Sequence, residues 1–131
     1  MASILICDED ALFTVSLQRR LTDAGYRVAA TERAGEAIQR VLSQQVDAIV
    51  LGIHTTGMSG VEALPILNQI APSLPVIVVA DDEGLETERA ARRSKIFYYL
   101  IKPVDLCELR DVVRQAVTRR AARREGGWGL P

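Results

Sequence analysis

Histidine and tryptophan each occur once in this chain of 131 residues, cysteine occurs twice, and aromatic residues make up only 5%. Each scarcity closes off a class of function. The lone histidine, His54, has no Cys, His or Asp partners at ligand spacing and reads as a solvated loop residue without a role. Cys7 and Cys107 are far apart in sequence, with neither metal-type spacing nor a disulfide framework, so reduced thiols in a cytoplasmic protein are expected. Cys7 lies in an apolar run as a small buried hydrophobe, which leaves only Cys107 open to reaction. The longest apolar stretches, such as VDAIVLGI, fall well short of the roughly 20 residues that cross a bilayer. A formal net charge of −1 provides no overall field toward nucleic acid or anionic lipid. The segment CDEDALF has no glycine after the first predicted strand, which excludes the phosphate loop of a doubly wound nucleotide-binding enzyme.

What remains is a globular composition, 48% hydrophobic and 25% charged, of a length that suits one domain. SILIC (3–7) reads as a buried strand, and the acids Asp8, Glu9 and Asp10 then open a helix with Phe13, Leu17, Leu21 and Ala24 on one face and Gly25 as its stop. A second strand follows at Tyr26 to Ala30, then a helix bearing Ala34, Ala37, Ile38, Val41 and Leu42. Ala48 to Leu51 is apolar throughout, as a strand covered on both faces must be, and a glycine-marked loop runs from Gly52 to Gly60. Val61 to Ile70 is a third helix that Pro65 should bend or delay. Val76 to Ala80 repeats the apolar strand, Glu86 to Arg93 is a polar helix with Glu88 and Arg92 paired at i,i+4, and Phe97 to Ile101 is the fifth strand. A last helix carries Leu106, Leu109, Val112, Val113, Ala116 and Val117.

Five strand-helix units imply a parallel sheet with helices on both faces and a site at the carboxyl ends of the strands. Those ends carry Asp8 and Glu9, then Gly52, then Ala80 and Asp81, then Lys102. The blocks ILICDED, DAIVLGIHTTGMSG, LPVIVVAD and YYLIKPVD bear that pattern, and over about residues 3 to 118 the chain resembles the receiver domain of bacterial response regulators. The resemblance implies a flavodoxin-like (βα)5 fold with a five-stranded parallel sheet in the order 2-1-3-4-5. It also implies a receiver domain over 1–120, a flexible tail or start of a linker over 121–131, and a place in two-component phosphorelay signalling. In the family an acid pair holds magnesium, matched by Asp8 and Glu9. The third strand ends in the aspartate that accepts the phosphoryl group, a position that falls on Gly52. A fourth-strand threonine or serine binds a phosphoryl oxygen, a position that falls on Ala80. The lysine of a KP dipeptide binds another oxygen, matched by Lys102 with Pro103, where the family's peptide bond is cis.

Gly52 offers no nucleophile, and phosphoryl transfer needs an in-line nucleophile as well as charge stabilisation. Thr56, in place of the family's usual proline, and Ser59 depart from the pattern together with Gly52 and Ala80, so the site is degenerate as a unit. Losing one carboxylate of three weakens magnesium ligation; Asp8 and Glu9 remain as a weak metal site, and no cofactor is expected. Lys102 is expected to form a metal-free salt bridge with Asp8 and Glu9, and Asp81 to approach it or to narrow the pocket mouth. Tyr99 falls on the family's aromatic switch position, where Ala80 removes the coupling group. Lys95 and Ile96 replace a small pair before the fifth strand, altering the face formed by the fourth helix and fifth strand.

The resemblance therefore implies a pseudo-receiver that is not an enzyme and acts by phosphorylation-independent protein contacts. The alternative is a receiver phosphorylated on Asp8, Asp81 or Asp82. Expected partners are another signalling protein or an output domain, a histidine kinase among them, with a homodimer through the fourth-helix and fifth-strand face as a further option; no membrane contact is expected. Arg119, Arg120, Arg123 and Arg124 form a basic run without interleaved aromatics, a solvated helix end or linker more than a nucleic-acid site.

Overall fold

The computed structural model describes residues 1–81 and 84–126. Its elements alternate without exception: β1 Ser3–Cys7, α1 Ala11–Asp23, β2 Arg27–Thr31, α2 Ala34–Ser43, β3 Ala48–Gly52, α3 Gly60–Ile70, β4 Val76–Ala80, α4 Leu85–Arg92, β5 Tyr98–Ile101 and α5 Leu106–Gly126. All strand pairs are parallel, in the order β2-β1-β3-β4-β5. This is the flavodoxin-like doubly wound fold.

The strands that read as unbroken apolar runs, β3 and β4, lie inside the sheet and are buried at every position. Parallel crossovers cover both faces with helices, so no strand face there meets water. Residues of each central strand divide between two cores. Leu5, Ile49, Leu51, Val76 and Val78 pack with residues of α2, α3 and α4, while Ile4, Ile6, Val50, Ile77 and Val79 pack with Leu17 and Leu21 of α1 and Leu109, Val112, Val113 and Ala116 of α5. The edge strands β2 and β5 are less buried.

Helix ends follow their local chemistry. Asp10 caps α1, its carboxylate accepting from the Phe13 amide, and Gly25 takes a left-handed φ of 98° just beyond the helix. Ser59 and Glu62 form a reciprocal capping box that starts α3, and Pro65 sits within that helix on its exposed side, where losing one backbone donor is tolerated. The Glu88–Arg92 ion pair forms at 2.8 Å.

Some boundaries differ from the sequence reading. The second and fifth strands begin one residue later, at Arg27 and Tyr98. Ala24 is the exposed C-cap of α1, and Leu42 lies 60% exposed near the end of α2, so neither belongs to the buried stripe of its helix. The boundary drawn at residue 120 falls inside α5, which runs on to Gly126; residues 127–131, including Trp128, lie outside the described residues. Among the described residues no helix is long and apolar enough to cross a membrane.

Candidate functional site

The carboxyl edge of the sheet gathers three polar segments. Asp8 follows β1, and its amide donates to the Thr31 carbonyl at 3.1 Å, which fixes the chain as it leaves the strand. Two residues on, the Asp10 amide donates to Asp8 Oδ1 at 2.9 Å. Lys102 follows β5, its amide donating to the Ala80 carbonyl at 2.8 Å, and the Lys102–Pro103 peptide is cis.

From there the Lys102 ammonium reaches Asp8 Oδ2 at 3.0 Å, Asp81 Oδ1 at 3.2 Å and Asp10 Oδ2 at 3.4 Å. It also lies 4.6 Å from the centroid of the Phe13 ring, whose π face favours a cation. The Asp8 side chain is 2% exposed and that of Lys102 14%, so this pair is withdrawn from water, while Asp10 and Asp81 stand at the rim. The Asp8–Lys102 approach is an ion pair without an aligned hydrogen bond at Oδ2.

Burial pushes the Asp8 carboxyl above its ordinary range; the Asp10 amide and the Lys102 ammonium oppose that rise and Asp81 adds to it. Burial also works against the Lys102 ammonium, but its interactions with the carboxylates of Asp8 and then Asp81 outweigh it and hold the pKa above the usual value. Asp10 is held below its usual range, first by the Phe13 amide and then by Lys102. Beneath the site, burial pushes the Cys7 thiol up to about 12, with Asp8 and Glu36 contributing, so it is an inert core group.

Gly52, at the end of β3, is buried against this cluster. A Cβ placed on it would collide with the Asp8 carboxylate, whose Cγ would lie 2.7 Å away. The carboxylate thus fills the space a side chain at position 52 would enter. On the other side Gly60, the first residue of α3, approaches so closely that a Cβ there would strike the Gly52 carbonyl, and its amide donates to the Ile53 carbonyl at 2.9 Å. Ala80 is fully buried in the core cluster against which the half-buried Tyr99 packs, with the Arg92 guanidinium 5.6 Å above the Tyr99 ring. Pro103 is exposed.

One expectation about the site is corrected and another is extended. Glu9 is exposed and makes no ion pair with Lys102; Asp10, the cap of α1, reaches the ammonium from the rim instead. His54 is an exposed loop residue, as expected, but it has a neighbour the sequence did not indicate: its Nε2 lies 3.3 Å from Asp81 Oδ2, so Asp81 stands between His54 and Lys102, and its carbonyl accepts from the Glu9 amide. The signal for Asp10 was its place before an apolar helical stripe, which marks a cap; nothing in the sequence brought His54 to Asp81. Of the three substitute acceptors, Asp8 is buried, Asp81 is 38% exposed beside Lys102, and Asp82 lies outside the described residues. Among the described residues no group of three or more His, Cys, Asp or Glu side chains is arranged to hold a metal ion.

A doubly wound (βα)5 sheet with a lysine and carboxylates clustered at its carboxyl edge defines a receiver-type domain. The response regulator receiver domain model matches residues 4–114, and the chain belongs to that family. Among curated proteins it is 31% identical to the transcriptional regulatory protein ZraR of Klebsiella oxytoca over 87% of this chain and 26% of that protein. It is 28% identical to the DNA-binding transcriptional regulator NtrC of Proteus hauseri over 88% of this chain and 24% of that protein. The chain thus spans about a quarter of the length of these relatives. Among solved structures, the signal receiver domain of an HD domain-containing protein from Pseudomonas fluorescens superposes with a TM-score of 0.87 at 29% identity, covering 92% of this chain and 98% of that one. A CheY-like receiver domain from Methanospirillum hungatei superposes at 0.88 with 23% identity, covering 94% and 98%, a likeness of fold.

Proposed function

We propose that this receiver domain works in two-component signalling without accepting a phosphoryl group, passing its signal through surface contacts with another signalling protein or an output domain. One observation carries the reading. Gly52 has no side chain, and the Asp8 carboxylate, paired with Lys102, occupies the space where one would stand. A nucleophile is therefore absent from the end of β3, and the lysine that would stabilise a phosphoryl oxygen is engaged by carboxylates.

The donor set does not fit a tightly held magnesium ion. Such an ion requires near-octahedral oxygen ligation, whereas Asp8 is tied to Lys102 and the Asp10 amide and Glu9 points to solvent. The exposed face of α4 and β5, with Leu85 63% and Tyr98 43% exposed, suits a homodimer or an output-domain contact.

Incubating the chain with acetyl phosphate and magnesium and measuring its intact mass tests the proposal. The mass is expected to stay unchanged. A phosphoryl adduct mapped to Asp8, Asp81 or Asp82 would overturn it in favour of a substitute acceptor, and Asp81, exposed beside Lys102, is the carboxylate to inspect first.

A further inference from the structure

The basic run near the end of α5 takes no part in the Lys102 cluster, and the fold gives part of it a shape. At the amino end of the sheet, opposite the Lys102 cluster, a concavity of about 90 Å³ opens between the segment leading into β4, the segment leading into β5 and the last turns of α5. Lys95, Arg119, Arg120 and Arg123 all line it, together with Ser73 and Phe97, and no carboxylate lines it among the described residues. Four cations converge on one small hollow.

Three of them are held in place. Arg120 is 16% exposed, donates from Nη1 to Ser73 Oγ at 3.3 Å and lies 3.9 Å from Asp47 Oδ1 through Nε. The Arg119 guanidinium lies 5.6 Å from the Phe97 ring centroid. The Lys95 backbone is clamped by Asn68, which accepts from its amide at 2.7 Å and donates to its carbonyl at 3.0 Å, and its ammonium reaches the Pro72 carbonyl at 3.3 Å. Cations near a helix C-terminus gain a little from the helix dipole wherever they point. That gain does not require residues from three separate segments to share one concavity.

We propose that this concavity is a binding site for the phosphoryl group of a small molecule, with guanidinium forks on its oxygens and Phe97 available to any group attached beyond it. Guanidinium groups match phosphate geometry, and side chains already restrained lose less freedom on binding. The volume admits a phosphate and leaves the remainder of a phosphomonoester outside, above Phe97.

Amide shifts of the full chain, titrated with inorganic phosphate and separately with adenosine monophosphate at constant ionic strength, test this. Saturable shifts confined to Ser73, Lys95 to Phe97 and Arg119 to Arg123 are expected, with affinity falling about tenfold or more when Lys95, Arg119 and Arg123 are replaced by Met. These are rim side chains, so the variant keeps its fold; Arg120→Lys, which retains a cation beside Asp47, is expected to lose affinity too because the fork is gone. Tighter binding of the nucleotide with an added shift at Phe97 assigns the site to phosphomonoesters, and equal binding assigns it to free phosphate; both support the proposal. Linear shifts shared with Arg89, Arg92 and Arg93, or an unaltered response in the triple variant, would overturn it. So would tight, sequence-independent binding of an oligonucleotide without saturable phosphate binding, which would make the surface a nucleic-acid contact.

Discussion

The two ends of the sheet each hold a cation beside buried acid, and they differ in balance. At the amino end Asp47 accepts from the Ser3 amide at 2.8 Å and from Gln45 at 3.3 Å and faces Arg120, so donors and a guanidinium share one carboxylate. At the carboxyl end the single ammonium of Lys102 faces Asp8, Asp10 and Asp81. The first arrangement is a clamp that joins β1, β3 and α5. The second carries more negative charge than its cation neutralises, which stability alone does not favour. Such local inconsistency belongs to sites shaped for function, and here it persists around a position, Gly52, that has no side chain.

Removing Lys102 should have the largest effect. Lys102→Met leaves Asp8 buried without its ammonium and is expected to cost about 3 kcal/mol of stability in urea unfolding near neutral pH. The loss should shrink as the solution is acidified, because Asp8, already above its ordinary range, then takes up a proton. A loss independent of pH would assign the effect to packing on Phe13. Asp47→Ala is next. It strips the Ser3 amide of its acceptor and removes the carboxylate that faces Arg120, at about 2 kcal/mol in urea unfolding.

Gly52→Ala sharpens the contrast within the carboxyl end. The new methyl group meets the Asp8 carboxylate and displaces it from Lys102, at an expected cost of about 1 kcal/mol. Combining it with Asp8→Ala should remove most of that penalty in a double-mutant cycle, and additive costs would contradict the claimed overlap. The smallest effect is read in the carboxyl carbon shifts of the wild type. Asp8 should titrate above the ordinary aspartate range and Asp10 below it. By linkage the raised Asp8 adds stability as pH falls through the interval between its unfolded and folded values, whereas Asp10 contributes stability above its unfolded value and loses it as pH falls through its depressed folded value.

The fold was legible because its strongest signals are long-range consequences of burial. Runs such as AIVL in β3 and VIVVA in β4 can be apolar throughout only where helices cover both faces, and alternating units leave few topologies. The strand ends were legible as positions, which placed Asp8, Gly52, Ala80 and Lys102 at one edge. Partner choice was not. Whether Glu9 or Asp10 reaches Lys102 depends on the rotation of the chain at the α1 cap, and whether Asp81 meets His54 depends on two loops that carry no periodic signal. The Asp47–Arg120 clamp joins residues 73 apart in sequence and had no local signature.

The most direct test of phosphorylation-independent signalling compares amide spectra of the chain before and after adding magnesium and acetyl phosphate, read at Ala80, Tyr99 and Lys102. Unchanged positions at all three are expected, since neither an acceptor at Gly52 nor a hydroxyl at Ala80 is there to link the pocket to β5. A saturable shift at Tyr99 that appears only with the phosphodonor and decays with an adduct's hydrolysis would contradict it.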